Sequence, residues 1–308
     1  MQTYLTSINK FLIIYFVLGQ IGFAQLSNDT SKTFELSPPN GNNTKIKWEI
    51  LAPVGVGIGA INYSMYKYYQ KAWWGEERTK FHTFNDWNNA DMNIDKVGHL
   101  YGGMALTKLS YKLYRLSNVP EGWSMFLSSF TSIFFQMQIE FHDAYFKKWG
   151  WSWWDVGANT LGAVYPNLQK MWTPLQTFNL KWSYHPSQAY KDGWFDYWIK
   201  DYHGFTYWLT FDVNSMLPKS IDKYWPDWLN LALGYGVERV KLGKNIWNSS
   251  VNPLGDREWY IAFDYDLVKL FNPKAEWLRE LLETFNIIHF PSPAIRFSPS
   301  GIYYGLYF

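Results

Sequence analysis

The chain has 308 residues, a formal charge of +2, no cysteine, and 21% aromatic against 18% charged residues. That composition excludes a disordered chain, a disulfide scaffold and a thiolate metal site, and the near-neutral charge argues against nucleic acid as a partner. A mean hydropathy of −0.28 is too polar for an ordinary multi-span membrane protein, so 19 Trp and 23 Tyr point to surfaces where one end of a ring is apolar and the other wet.

Lys10 precedes an uncharged run from Phe11 to Phe23, and Gly22-Phe23-Ala24 places small residues before Gln25. This is the form of a secretory signal peptide and predicts export with cleavage near Ala24. The run falls short of the roughly 20 residues that span a bilayer. No cysteine follows it, so a lipoprotein anchor is not expected. Residues 25–47 are polar and rich in Ser, Asn and Pro, and read as a flexible leader.

Residues 48–172 read as about four short helices. Ile50–Met65 carries no charge but holds Pro53, Gly55, Gly57 and Gly59. Ile94–Leu116 is a helix candidate whose cations Lys108, Lys112 and Arg115 lie toward its C-terminal end, where they complement the helix dipole. Asn118–Gly122 is a turn signal, Gly122–Ile139 is uncharged, and Lys147-Lys148-Trp149-Gly150 is a helix stop. Val156–Gln169 is again uncharged. These spans fit a compact helical unit at a membrane surface or one partly inserted in it.

Beyond Pro174 the period changes to two. Tyr207–Val213, Leu229–Val237, Trp259–Leu267 and the terminal Gly301–Phe308 alternate apolar and more polar residues, as strands do. Strands with aromatic ends resemble outer-membrane barrels, but such barrels need at least eight strands. Only five or six candidates lie in 173–308, so a small sheet or partial barrel is expected. Trp277–Phe285 reads as a short helix. The predicted fold class is α+β, a helical bundle followed by an aromatic-rich antiparallel β region.

Three helices each carry polar residues at helical spacing. Asp95 and His99 are four apart; Glu140 and Asp143 are three apart, with Gln136 one turn earlier; Asp155 and Asn159 are four apart, with Gly162 further along the same face. Residues so spaced share a helix face. Acids on apolar helices are costly unless paired, so the three stripes should face one another. Gly98, Gly102, Gly103, Gly157 and Gly162 would let the backbones approach.

The series Asp95-Lys96-x-x-His99, Glu140-x-x-Asp143, Ser152-Trp153-x-Asp155, Asn159 and Gly162 resembles the YfiM-like family of exported bacterial envelope proteins of unknown function, over residues 80–172. It is more loosely similar to the VanZ-like membrane family, without that family's Glu-x-x-Gln and Arg. The YfiM-like resemblance implies an envelope location and a shared helical core, and supplies no reaction. The missing lipobox cysteine departs from its lipoprotein members, and 173–308 has no counterpart in the short ones.

The polar set admits two readings. His99, Glu140, Asp143 and Asp155 could do acid–base chemistry on lipid or cell-wall material, or His99, Glu140 and Asp143 could hold a divalent metal. Alternatively Asp95, Lys96 and Asn159 join them in a structural network that sets helix packing. The chain lacks His-Glu-x-x-His, Gly-x-Ser-x-Gly, Walker and Gly-x-Gly-x-x-Gly motifs, and no cofactor other than a metal is suggested. His82, His185, His203 and His289 stand apart from acidic partners and read as surface or turn residues. Trp73-Trp74 and Trp151–Trp154 read as interfacial anchors, and Lys67, Lys71, Arg78 and Lys80 as weak candidates for lipid headgroups. The expectation is an exported, envelope-associated structural or accessory protein, periplasm-facing or at the outer membrane, with membrane lipid and envelope proteins as partners. An envelope enzyme is the alternative.

Overall fold

The computed structural model describes residues 45–75, 77–87, 91–238, 256–299 and 302–307. The expected signal peptide, most of the expected leader, Glu76, Gly301 and the terminal Phe308 lie outside these residues.

Four helices form the first half: α1 (Trp48–Ala72), α2 (Ile94–Leu116), α3 (Glu121–Asp143) and α4 (Trp153–Met171). They are 25, 23, 23 and 19 residues long, so the glycines of α1, Pro53 and Pro166 do not interrupt them. The backbone at Met92 and Asn93 has positive φ just ahead of α2, and Ser152 caps α4 by accepting a hydrogen bond from Asp155 N at 3.1 Å. Among the described residues no helix is long and apolar enough to cross a membrane.

Helix α3 is amphipathic in the reverse of the usual sense. Its buried positions are Ser124, Ser128, Ser132, Gln136 and Glu140, a repeat of four that faces α2 and α4. Its outer stripe is Trp123, Phe126, Phe130, Phe134 and Phe141, each more than half exposed. Two serines reach the facing helices, Ser132 Oγ donating to Gly103 O at 2.8 Å and the half-buried Ser129 Oγ to Ala163 O at 2.7 Å, while Ser124 and Ser128 donate to Val119 O and Met125 O in their own segment. Helix α4 repeats the theme, with Asp155, Asn159 and Gln169 buried and Trp153, Trp154, Leu161, Leu168 and Met171 exposed.

The second half is a six-stranded antiparallel meander in the order β1 (Phe178–Tyr184), β2 (Phe205–Phe211), β3 (Leu229–Glu238), β4 (Asp256–Tyr265), β5 (Ser292–Arg296) and β6 (Tyr303–Tyr307). Short helices α5 (Gln188–Lys191), α6 (Val213–Met216), α7 (Leu267–Phe271) and α8 (Glu276–Phe285) lie in its connections. The sheet is not a closed barrel. Residues 287–289 nevertheless run beside β1: Trp182 N donates to Ile287 O at 3.1 Å and His289 N to Trp182 O at 2.9 Å. The face on which His289 lies buries Lys181, Ser183, Thr210, Ala232, Asp264 and Ser292 around two large rings, Trp208 and Tyr260. Gly234 is needed there, because a Cβ would sit 2.6 Å from the ring of Trp208. The opposite face is apolar. At β1–β3 it packs against Ile94, Val97 and Tyr101 around Phe205 and Tyr207. At β4–β6 it leaves Ile261, Ile295, Tyr304 and Leu306 exposed. Both halves therefore bury polar groups and expose apolar ones.

Candidate functional site

The first turns of α2, the last turn of α3 and the first turn of α4 meet at one end of the bundle. Lys96 projects from α2 into three carboxylates. Its Nζ is 2.8 Å from Asp95 Oδ2, 2.9 Å from Asp155 Oδ1, and closer still to Asp86. The Asp155 pair is an ion pair without hydrogen-bond alignment, for that oxygen has no aligned donor. Asp86 comes from the irregular segment before α2 and also accepts from Ser152 Oγ at 2.7 Å. One turn along α2, His99 Nδ1 lies 2.9 Å from Asn159 Oδ1 and 3.7 Å from Glu140 Oε1, while Nε2 lies 3.8 Å from Asp155 Oδ1. Gln136 completes the group in the orientation that satisfies its neighbours: its nitrogen donates to His99 O at 3.0 Å and Asn159 Oδ1 at 2.6 Å.

Burial opposes the charge on Lys96, but the three aspartates outweigh it and raise its pKa. Burial alone would raise Asp86; Lys96 overrides it and holds the carboxyl below its ordinary value. Burial likewise opposes the His99 charge, and Asp155 and Glu140 overcome it, raising the imidazole to about 9. Glu140 is pushed up to about 8 by burial, against the pull of His99. Both groups therefore keep their protons at neutral pH. Both folded-state values lie above the unfolded ones, so the stability they contribute is complete at low pH and lost as pH rises through 8 to 9. Thermal melts followed by tryptophan fluorescence should show the midpoint falling between pH 6.5 and 9.5. The fall should be shallower in His99→Gln, and a profile equally steep in both chains would refute the assignment.

The structure thus brings together Asp95, Lys96, His99, Glu140, Asp155 and Asn159. Asp143 is turned aside: its Oδ1 accepts from Trp74 Nε1 at 2.6 Å, and burial raises its carboxyl to about 7 despite that bond. The ligand atoms that lie within 4.8 Å of one another belong to His99, Glu140 and Asp155, with a second set of Asp86, Asp95 and Asp155. The second set already surrounds an ammonium. In the first, Glu140 and Asp155 face opposite nitrogens of one imidazole, so a single cation would reach only one of them through His99. The set fits a bridging imidazolium better than a metal.

Sequence spacing missed Asp86, whose only signal is an acid alone among aromatic residues. It also misplaced His289. This residue is no surface or turn histidine: it is 2% exposed, stacks on Trp208 at 3.9 Å and lies 3.1 Å from Asp264 Oδ1. Lys181 holds the other carboxylate oxygen at 2.8 Å and donates to Tyr265 O. Burial would raise Asp264, but His289 and Lys181 bring it below the ordinary range. Ser292 Oγ, 3.4 Å from His289 Nε2, donates to Phe263 O at 2.5 Å. Asp264, His289 and Ser292 have a triad's sequence of contacts, yet all are sealed inside the sheet and the serine proton is engaged elsewhere. They act as a polar core.

The ion network has one open side. Asp95, His99 and Gln138 border a cavity of about 350 Å³ between α1, α2 and α3. The His99 side chain is 20% exposed there, whereas that of Glu140 is 1% exposed.

A family model described as predicted periplasmic lipoprotein (DUF2279) matches residues 84–171. That span runs from just before Asp86 to the end of α4 and contains the whole ion network. No curated protein and no solved structure matches the chain. The match agrees with the location read from the sequence: the chain is an exported, periplasm-facing protein of the cell envelope, and its role is unknown.

Proposed function

We propose that this chain is a structural or accessory protein of the envelope, of YfiM-like kind, that holds its aromatic outer faces against membrane lipid, most simply at the outer membrane. The observation that carries this reading is the reversed amphipathicity of α3. A helix that buries a serine stripe and exposes phenylalanines is stable only if something apolar covers the phenylalanines. Lipid suits the pattern because Trp123, Trp153 and Trp154 sit at helix ends and Phe126, Phe130, Phe134 and Leu161 between them, as in an aromatic belt. From Trp123 to Phe141 the stripe is about 27 Å long. The ion network then works as an internal fastener that lets three helices meet with their polar faces inward. An enzymatic reading rests on one observation, that His99 borders a cavity.

The test is flotation of the purified chain with vesicles of phosphatidylethanolamine and phosphatidylglycerol. Each phenyl ring withdrawn from water contributes about 1.5–3 kcal/mol. Phe126→Ser, Phe130→Ser and Phe134→Ser combined should therefore lower the floating fraction more than ten-fold while the melting temperature changes little. Release of the wild-type chain from membranes by carbonate, without detergent, would sink the reading.

A further inference from the structure

The cavity at the ion network is a slot. Along α2 it is bounded by Asp95, His99, Gly102, Ala105, Leu106 and Leu109, a single stripe about 21 Å long. Ile61 and Met65 of α1, Phe135 and Ile139 of α3, and Ile199 and Phe205 of the β half line its other walls. Helix α1 has only Ala72 buried, so the slot's roof rests lightly on the bundle. A volume of about 350 Å³ drawn out over that length is slender, and it falls in the 300–1,000 Å³ range of small-ligand sites.

The two ends differ in chemistry. One is aliphatic. The other holds three groups with hydrogen-bonding capacity to spare. The Gln138 side-chain nitrogen is buried without a partner among the described residues. His99 Nε2 lies 3.8 Å from Asp155, beyond hydrogen-bond reach. Asp95 keeps lone pairs beyond those used by Lys96. A buried amide donor left unpaired is costly, which favours a ligand acceptor beside it. Asp86, Asp95 and Asp155 outnumber Lys96 and His99 around this end, so a carboxylate or phosphate head would be repelled.

We propose that the slot binds a single-chain amphiphile, its hydrocarbon tail between α1, α2 and α3 and an uncharged hydroxyl-bearing head against Gln138, His99 and Asp95. The head accepts from Gln138 or His99 and donates to Asp95. The proposal stands on the slot's walls and does not depend on lipid contact at the outer faces.

Equilibrium uptake of radiolabelled monoolein by the full chain tests it, with oleate as the anionic counterpart of the same tail. Monoolein should bind at least ten-fold more tightly than oleate. Ala105→Trp, which puts a ring into the open middle of the slot, should weaken monoolein at least ten-fold without lowering the melting temperature or the vesicle-bound fraction. Gln138→Leu should weaken monoolein about five-fold and leave oleate unchanged. Equal uptake by Ala105→Trp and wild type, or oleate binding as tightly as monoolein, would overturn the proposal. Uptake that begins only after residues 1–24 are removed would make the chain's own signal segment the occupant and overturn it too. A chain that takes up monoolein yet fails to float removes the lipid-facing reading and leaves this one standing.

Discussion

Lys96→Met is expected to be the most damaging single substitution in the helical half. The ammonium is the only lysine or arginine group paired with Asp86, Asp95 and Asp155 among the described residues, and the side chains concerned are between 7% and 12% exposed. Removing one partner of a buried ion pair costs about 3–5 kcal/mol, because the remaining charge stays desolvated. Here three carboxylates share the loss, so the effect should reach or pass the upper end of that range. Urea unfolding at pH 7 measures it. Two further results identify the cause. Asp86 is held low by Lys96 in the folded protein, so its share of the stability is present at neutral pH and disappears as pH falls through its folded value. The gap between wild type and Lys96→Met should therefore narrow below about pH 4, where carboxylates protonate. Adding Asp86→Asn to Lys96→Met should recover part of the loss, which independent sites would not do. A gap constant from pH 7 to pH 3.5, with no recovery in the double variant, would mean that Lys96 matters only as packing.

Much of this site was legible because helices repeat. Asp95 and His99, and Asp155 and Asn159, are four apart, and that interval alone predicts two polar faces. Asp143 shows where the interval loosens. Three residues turn a helix by about 300°, so Asp143 points about 60° away from Glu140. That offset is enough for Trp74, from beyond the end of α1, to capture it. Asp86 belongs to a segment without a period, and its place under Lys96 follows from two backbone links, Arg78 with Phe146 and Thr83 with Trp151. Nothing local announces these.

In the β half, alternation located β2, β3, β4 and the terminal strand but did not mark β1 or β5, and it cannot tell which face turns inward. His289 follows α8 in a run bounded by Pro291, which reads as a turn. It becomes a core residue only because 287–289 lies along β1 and brings the imidazole to Asp264. The same ambiguity applies to α3. The repeat of Ser124, Ser128 and Ser132 and that of Phe126, Phe130 and Phe134 have equal periodicity. The inward side is marked by Ser132, bonded to Gly103 O on α2, and by its neighbour Ser129, bonded to Ala163 O on α4.

That close meeting of α2 and α4 supplies the second large effect. At Gly162 an added Cβ would fall inside the van der Waals sphere of the Leu100 carbonyl oxygen, with Leu100 C at 2.8 Å and Cα at 3.1 Å. At Gly103 it would meet Asn159 O at 2.7 Å and Ala163 N at 2.8 Å. All of these are backbone atoms, so no side chain can move to make room. Gly162→Ala must push the helices apart. Thr107 Oγ1 would lose its 2.9 Å bond to Ala163 O, and the same shift would stretch His99 from Asn159 and Lys96 from Asp155. Overpacking costs about 1–3 kcal/mol, and the strained ion network should carry Gly162→Ala to about 3 kcal/mol or beyond. Gly157 is the control. It lies five residues earlier in the same helix, and a Cβ there meets nothing within 4 Å. Alanine should stabilise that position by about 0.4–1 kcal/mol, through helix propensity and a less flexible unfolded chain. Opposite signs for one chemical change in one helix separate backbone contact from propensity. Matching denaturation curves for Gly157→Ala and Gly162→Ala would show that α2 and α4 do not touch through their glycines. The inward-facing polar network, which depends on that contact, would then have to be redrawn.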